Sequence, residues 1–169
     1  MIIEEYTQSI LQLIRSAVQL EDDGTTAFSQ LHNIFRHALY GYEEFGKKYA
    51  SKKAQEKYEN LGLPGQITQW QGRQQNQFDP KGKQHRVFHL EHVYTLSMFE
   101  RALKKLSQEQ LTVSSINKIV QDNFAVAWIL REENEILNKR GYKIKRGITL
   151  SNALNIYREV GVILIDGAT

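Results

Sequence analysis

The chain has 169 residues, a formal net charge of +3, a pI of about 9.0 and no cysteine. These values exclude disulfides, thiolate metal sites and thiol nucleophiles, and the length suits one domain able to bury a core. Hydrophobic residues at 41% and charged residues at 24% are ordinary globular usage, which argues against disorder.

The expected organisation is a single helical domain over 1–169 with an irregular segment at 62–85. No apolar run approaches the ~20 residues that span a bilayer, and Met1-Ile2-Ile3-Glu4-Glu5 lacks a basic leader region. A cytoplasmic protein with no membrane contact is the expectation. No repeat is evident at solenoid periods.

From the N-terminus, Ile3, Ile10, Leu13, Ile14, Ala17 and Val18 recur at helical steps, so residues 2–20 read as a helix closed by Asp22-Asp23-Gly24. Thr25 or Thr26 then caps a second helix. Its stripe of Phe28, Leu31, Phe35, Ala38, Tyr42, Phe45 and Tyr49 predicts about six turns. Gly41 and Gly46 weaken its far end by roughly 1 kcal/mol each. Ser51 caps a third helix, Lys52 to Leu61, with Gly62 just past its end and Pro64 beyond. The stretch 62–85 holds both prolines and seven glutamines (Gln66, Gln69, Gln71, Gln74, Gln75, Gln77 and Gln84) and has no period. Connections of that length are functional or unstructured.

Regularity returns at Arg86 to Leu106, where Phe88, His92, Thr95, Phe99, Ala102 and Leu106 predict a fourth helix. Thr112 or Ser114 caps a fifth through Ile116, Ile119 and Val120. The apolar run 124–129 fits a buried strand or a buried helix equally. Residues 131–140 read as a helix stopped by Gly141, and Ser151 opens a last one stopped by Gly161. Val162-Ile163-Leu164-Ile165 is β-branched and reads as a strand. The expected fold class is mostly α and bundle-like. Its α+β alternative carries a minimal two-stranded sheet from 124–129 and 162–165.

Three groups of side chains carry candidate chemistry. On a helix begun by residue 85, His85, His89 and His92 share one face at i, i+4 and i+7, a spacing that lets imidazoles converge on a divalent transition metal. The plainer reading makes His92 a hydrogen-bonded core histidine. Arg86 and His92 also suit phosphodiester cleavage without metal, the histidine moving a proton and the arginine holding the phosphate. This pair resembles the Arg-x(4–6)-His motif of the HEPN family of helical ribonucleases and nucleotide-binding proteins. The resemblance covers that motif alone, and Val87 stands where a polar residue often follows the arginine. Glu91-His92-Val93 offers a further hydrolase reading, as the carboxylate–histidine step of a ββα-metal nuclease, which requires an extended hairpin.

Basic residues gather in three places: Lys47, Lys48, Lys52, Lys53 and Lys57; Arg101, Lys104 and Lys105; and Lys139, Arg140, Lys143, Lys145 and Arg146 around Tyr142. The last run suits phosphate tracking with Tyr142 stacking on a base, set against a plain solvated loop. The leading functional expectation is a non-catalytic, nucleic-acid-associated binding or regulatory protein. The alternatives are a phosphodiester hydrolase using Arg86, Glu91 and His92, and a protein–protein or self-associating subunit or inhibitor. Whether the chain is an enzyme stays open at this point.

Overall fold

The computed structural model describes residues 2–20, 24–70, 87–142, 147 and 149–167. In chain order its elements are α1 (Ile3–Gln19), α2 (Thr26–Tyr40), β1 (Lys47–Ser51), α3 (Lys52–Asn60), β2 (Phe88–His92), α4 (Leu96–Leu103), α5 (Val113–Asn123), β3 (Ala125–Leu130), α6 (Arg131–Lys139), α7 (Leu150–Glu159) and β4 (Leu164–Asp166). They gather into two compact units, each made of two stretches of chain: 1–46 with 95–124, and 47–94 with 125–169.

The first unit is helical. Thr25, Thr95 and Thr112 supply the caps of α2, α4 and α5 through their side-chain oxygens, each accepting from an amide in the first turn. α1 buries Thr7, Leu11, Ile14 and Ala17. Thr7 is polar but satisfied, because its hydroxyl meets the Tyr42 hydroxyl at 3.0 Å and also donates to Asn117 Oδ1. Tyr42 anchors an aromatic cluster, edge-on to Tyr6 at 5.1 Å and to Phe99 at 5.4 Å. The long second helix expected from the sequence is shorter: α2 ends at Tyr40, a 3-10 turn covers Gly41–Glu44, and Tyr49 lies on β1. A close approach fixes the break, since a Cβ at Gly46 would stand 2.7 Å from Phe124 Cδ1 and 3.0 Å from its carbonyl oxygen.

The second unit is a four-stranded mixed sheet in the order β2-β3-β1-β4. β1 and β3 run parallel at its centre, while β2 pairs antiparallel with β3 and β4 antiparallel with β1. One face carries Ala125, Ala127 and Ile129 against Leu137 of α6 and Leu150, Ala153, Ile156 and Tyr157 of α7. The other carries Ala50, Phe88 and Trp128 against Ala54 and Tyr58 of α3, Ile67 and Trp70. β3 is buried on both faces, which explains its unbroken apolar run.

The protein is thus mostly helical with a small sheet, and the expectation of two strands is corrected to four. Both apolar runs are strands, but β3 and β4 flank β1 instead of pairing with each other. The larger correction concerns 86–106. Phe88–His92 is a strand, Val93 to Thr95 form a corner, and the helix begins only at Leu96. Phe88, Leu90 and His92 obey a period of two as well as a helical one, and pairing with β3 decides between them.

The second unit also repeats itself. Ser51 of β1 pairs with Leu164, Ala50 with Ile165 and Tyr49 with Asp166; in the same register Leu130 of β3 pairs with Phe88, Ile129 with His89 and Trp128 with Leu90. Lys52 N–H bonds Ile163 O at 2.9 Å, and Arg131 N–H bonds Val87 O at 2.9 Å. The following helices are each 9 residues long and end on a left-handed glycine, Gly62 at φ 67° and Gly141 at φ 79°. A pseudo-two-fold axis along the strands, between β1 and β3, therefore relates β1–α3–β2 to β3–α6–β4. Each copy gives its last strand to the other copy's first.

Candidate functional site

On a strand, successive side chains point to opposite faces. His89 and Glu91 consequently share the α6–α7 face of the sheet, while Phe88, Leu90 and His92 face α3. The helical arrangement expected for His85, His89 and His92 does not form: His89 and His92 stand back to back on β2, and His85 lies outside the described residues. The Arg86–His92 spacing likewise presumed a helix. His92 ends a strand with its Nε2 buried, and Arg86 is outside the described residues. The extended conformation required by the ββα-metal reading is present at Glu91-His92, but the strand paired with β2 is β3, which follows it in the chain only after α4 and α5, and not a hairpin partner. Among the described residues, no group of three or more His, Cys, Asp or Glu converges as a metal site.

The strand instead brings His89 and Glu91 together, with Nε2 2.8 Å from Glu91 Oε2. The His89 side chain is 37% exposed and that of Glu91 14%. With Nε2–H donated to the carboxylate, the neutral imidazole presents Nδ1 as its basic atom. This is the arrangement in which a carboxylate fixes the tautomer and orientation of a proton-transferring histidine. Sequence reasoning singled out both residues but gave them other partners, His89 the histidines of a helix and Glu91 the adjacent His92. The i, i+2 spacing of the pair was the available signal.

A second polar centre, not anticipated from the sequence, lies where β1 and β3 end side by side. Glu133 is 3% exposed. Its Oε2 accepts from the Ser51 hydroxyl at 2.5 Å and from the Leu130 amide at 2.8 Å, while Ser51 Oγ accepts from the Ala54 amide at 3.0 Å. The carboxylate therefore sits at the starts of both α3 and α6, where helix dipoles favour negative charge. Glu133 Oε2, Ser51 Oγ and the two amides are occupied by one another, so this network ties the starts of α3 and α6 together.

The basic groups separate by environment. Lys47, Lys48, Lys52, Lys53 and Lys57 are all exposed along β1 and α3. Lys52 approaches Glu56 at 3.9 Å, whereas Lys47, Lys48, Lys53 and Lys57 form no ion pair among the described residues. Lys104 pairs with Glu100 at 2.9 Å, which partly neutralises the α4 group. In the 139–146 run Lys139 and Arg140 are exposed at the end of α6, and Lys143, Lys145 and Arg146 lie outside the described residues. Tyr142 packs on the sheet core, with its hydroxyl 3.4 Å from Glu159 Oε2. The Tyr142 side chain is half-buried.

Comparison of the chain with protein-family models, with curated proteins and with solved structures found no match.

Proposed function

We propose that the protein is a nucleic-acid-associated binding protein that contacts phosphates through exposed lysines. The observation supporting this reading is the contrast between the two copies of the strand–helix unit. Lys47, Lys48, Lys53 and Lys57 occupy positions filled by Val126, Ala127, Glu132 and Ile136 in the other copy. The same backbone is therefore built without these cations, so the fold does not demand them. One of them even opposes local stability: Lys53 stands in the first turn of α3, which has no acid and where the helix dipole disfavours positive charge, while α6 carries Glu132 at the matching position. A lysine placed against that cost suits a partner that carries negative charge. Lys53 and Lys57, one helical turn apart, share a flank of α3 suited to a phosphate backbone.

Fluorescence anisotropy with labelled random-sequence DNA and RNA tests the reading. Binding is expected at low salt and should weaken steeply as salt rises, because each phosphate contact adds about 0.9 to the log–log slope on duplex DNA. Lys53→Ala with Lys57→Ala should lower that slope by about 2 and leave the circular dichroism spectrum unchanged. No binding at low salt, or binding indifferent to salt, overturns the reading.

A further inference from the structure

We propose that His89 and Glu91 are an acid–base pair that cleaves RNA, using the substrate's own 2′-hydroxyl as the nucleophile. The inference goes beyond binding and rests on the nucleic-acid reading for its substrate class.

Three observations carry it. The first is geometric: the imidazole and carboxylate are in hydrogen-bond contact at 2.8 Å, with the histidine the more exposed partner at 37% against 14%. The second comes from the internal repeat. In the matching copy, Ile165 pairs with Ala50 in the register in which His89 pairs with Ile129, and the Gly167 amide bonds Lys48 O at 2.9 Å at the position matching Glu91. The strand is thus made once with a histidine and a glutamate and once with an isoleucine and a glycine. Sheet pairing has no use for the ionisable pair. The third is its setting: α6 packs on β2 and β3 and ends in Lys139 and Arg140, both exposed, whereas α3 carries Asn60 and Leu61 at those positions. Of the two copies, the one whose strand bears the dyad is overlaid by the helix that ends in cations.

The pair offers acid–base chemistry and suits a substrate that brings its own nucleophile. RNA supplies one at every linkage. Nδ1 of His89 takes the proton from the 2′-hydroxyl as its oxygen forms a bond to phosphorus. The bond from phosphorus to the 5′-oxygen breaks, that oxygen leaves with a proton drawn from solvent, and His89 returns its own proton to solvent. Glu91 holds the imidazole in the tautomer this requires and stabilises the imidazolium that forms. The products are a 2′,3′-cyclic phosphate end and a 5′-hydroxyl end. DNA lacks the attacking group.

The full-length protein, incubated with end-labelled single-stranded RNA and with DNA of the same sequence, tests this directly. His89→Ile, Glu91→Gln and the double variant His89→Ile with Glu91→Gly are purified in the same way. RNA binding by anisotropy and thermal unfolding are recorded for each. The wild type should release fragments ending in a cyclic phosphate and leave DNA intact. His89→Ile should slow cleavage by about 100-fold or more, and Glu91→Gln should lower kcat with KM unchanged. The double variant, which copies the residues of β4, should bind RNA and melt as the wild type does. Binding without cleavage sinks this inference and leaves the binding reading standing; absence of both sinks the two together. Equal cutting of DNA, undiminished cutting by His89→Ile, or a fall of several degrees in the double variant's Tm each overturns it as well.

Discussion

Glu133 satisfies two helix starts with one oxygen, and its removal has a calculable consequence. Glu133→Ala would leave the buried Ser51 hydroxyl and the half-buried Leu130 amide without their acceptor. A loss of about 2–4 kcal/mol is expected in urea unfolding, with Glu133→Gln costing less because one oxygen acceptor remains. At Gly46 the cost is steric. A methyl group there meets the ring and the backbone oxygen of Phe124, so Gly46→Ala should destabilise by about 1–3 kcal/mol in the same measurement. Tyr42 brings in pH. Burial pushes its hydroxyl up to about 12, the hydrogen bond with Thr7 works in the opposite direction, and Tyr6 adds a further upward push. The unfolded chain releases this proton near pH 10 and the folded chain does not, so the contribution to stability is complete below pH 10. It declines by about 1.4 kcal/mol per unit between pH 10 and 12. Burial also raises the Tyr6 and Tyr49 hydroxyls, which add to the same alkaline loss. Tyr42→Phe should make stability measurably less steep in pH over that window. Capping residues were the most legible at this scale: Thr25, Ser51 and Thr112 act where the sequence places them, because a cap depends on a few neighbouring amides alone. Glu133 has no local signal beyond the acidic first turn of α6, since its partner Ser51 is brought near by the pairing of distant strands.

Among the elements, β3 is paired along both edges and covered on both faces, whereas β4 is three residues long and lies at the edge. Native-state hydrogen exchange should be slowest in Ala125–Ile129 and fast in Leu164–Asp166. Equal rates in the two strands would contradict the sheet order. α1, α3, α5, α6 and α7 were all legible, because each has an apolar period with a start or stop signal nearby. The miss at 86–106 has a physical cause. Phe88 and His92 are four apart and Phe88, Leu90 and His92 two apart, so the short stretch satisfies both periods, and Thr95, read as an interior helical position, is the cap of α4. That one misreading also misdirected the candidate site. A helix would have gathered His85, His89 and His92; a strand separates His89 from His92 and joins His89 to Glu91. The end of α2 failed for a different reason: the aromatic stripe continues past Tyr40 into a 3-10 turn and β1, and Tyr42 stays buried without a helix to carry it.

At the scale of the molecule, both compact units are discontinuous, and the repeat within the second works by exchange of strands. Neither property has a local signature. The two copies share little sequence beyond Gly62 and Gly141 and a basic residue followed four later by a glutamate, Lys52 with Glu56 and Arg131 with Glu135, so register and backbone hydrogen bonds reveal what residue identity hides. The exchange bears on the order in which the chain is made. A ribosome delivers β1 long before β3, the parallel neighbour that lies beside it, and β2 leaves the exit tunnel before the strand that will receive it. Until residue 130 has emerged, the N-terminal half displays two unmatched strands and a set of uncovered aromatic rings. Stalled translation intermediates ending before residue 124 should accordingly be sensitive to protease and bound by chaperones, and those extended beyond Asp166 should be resistant.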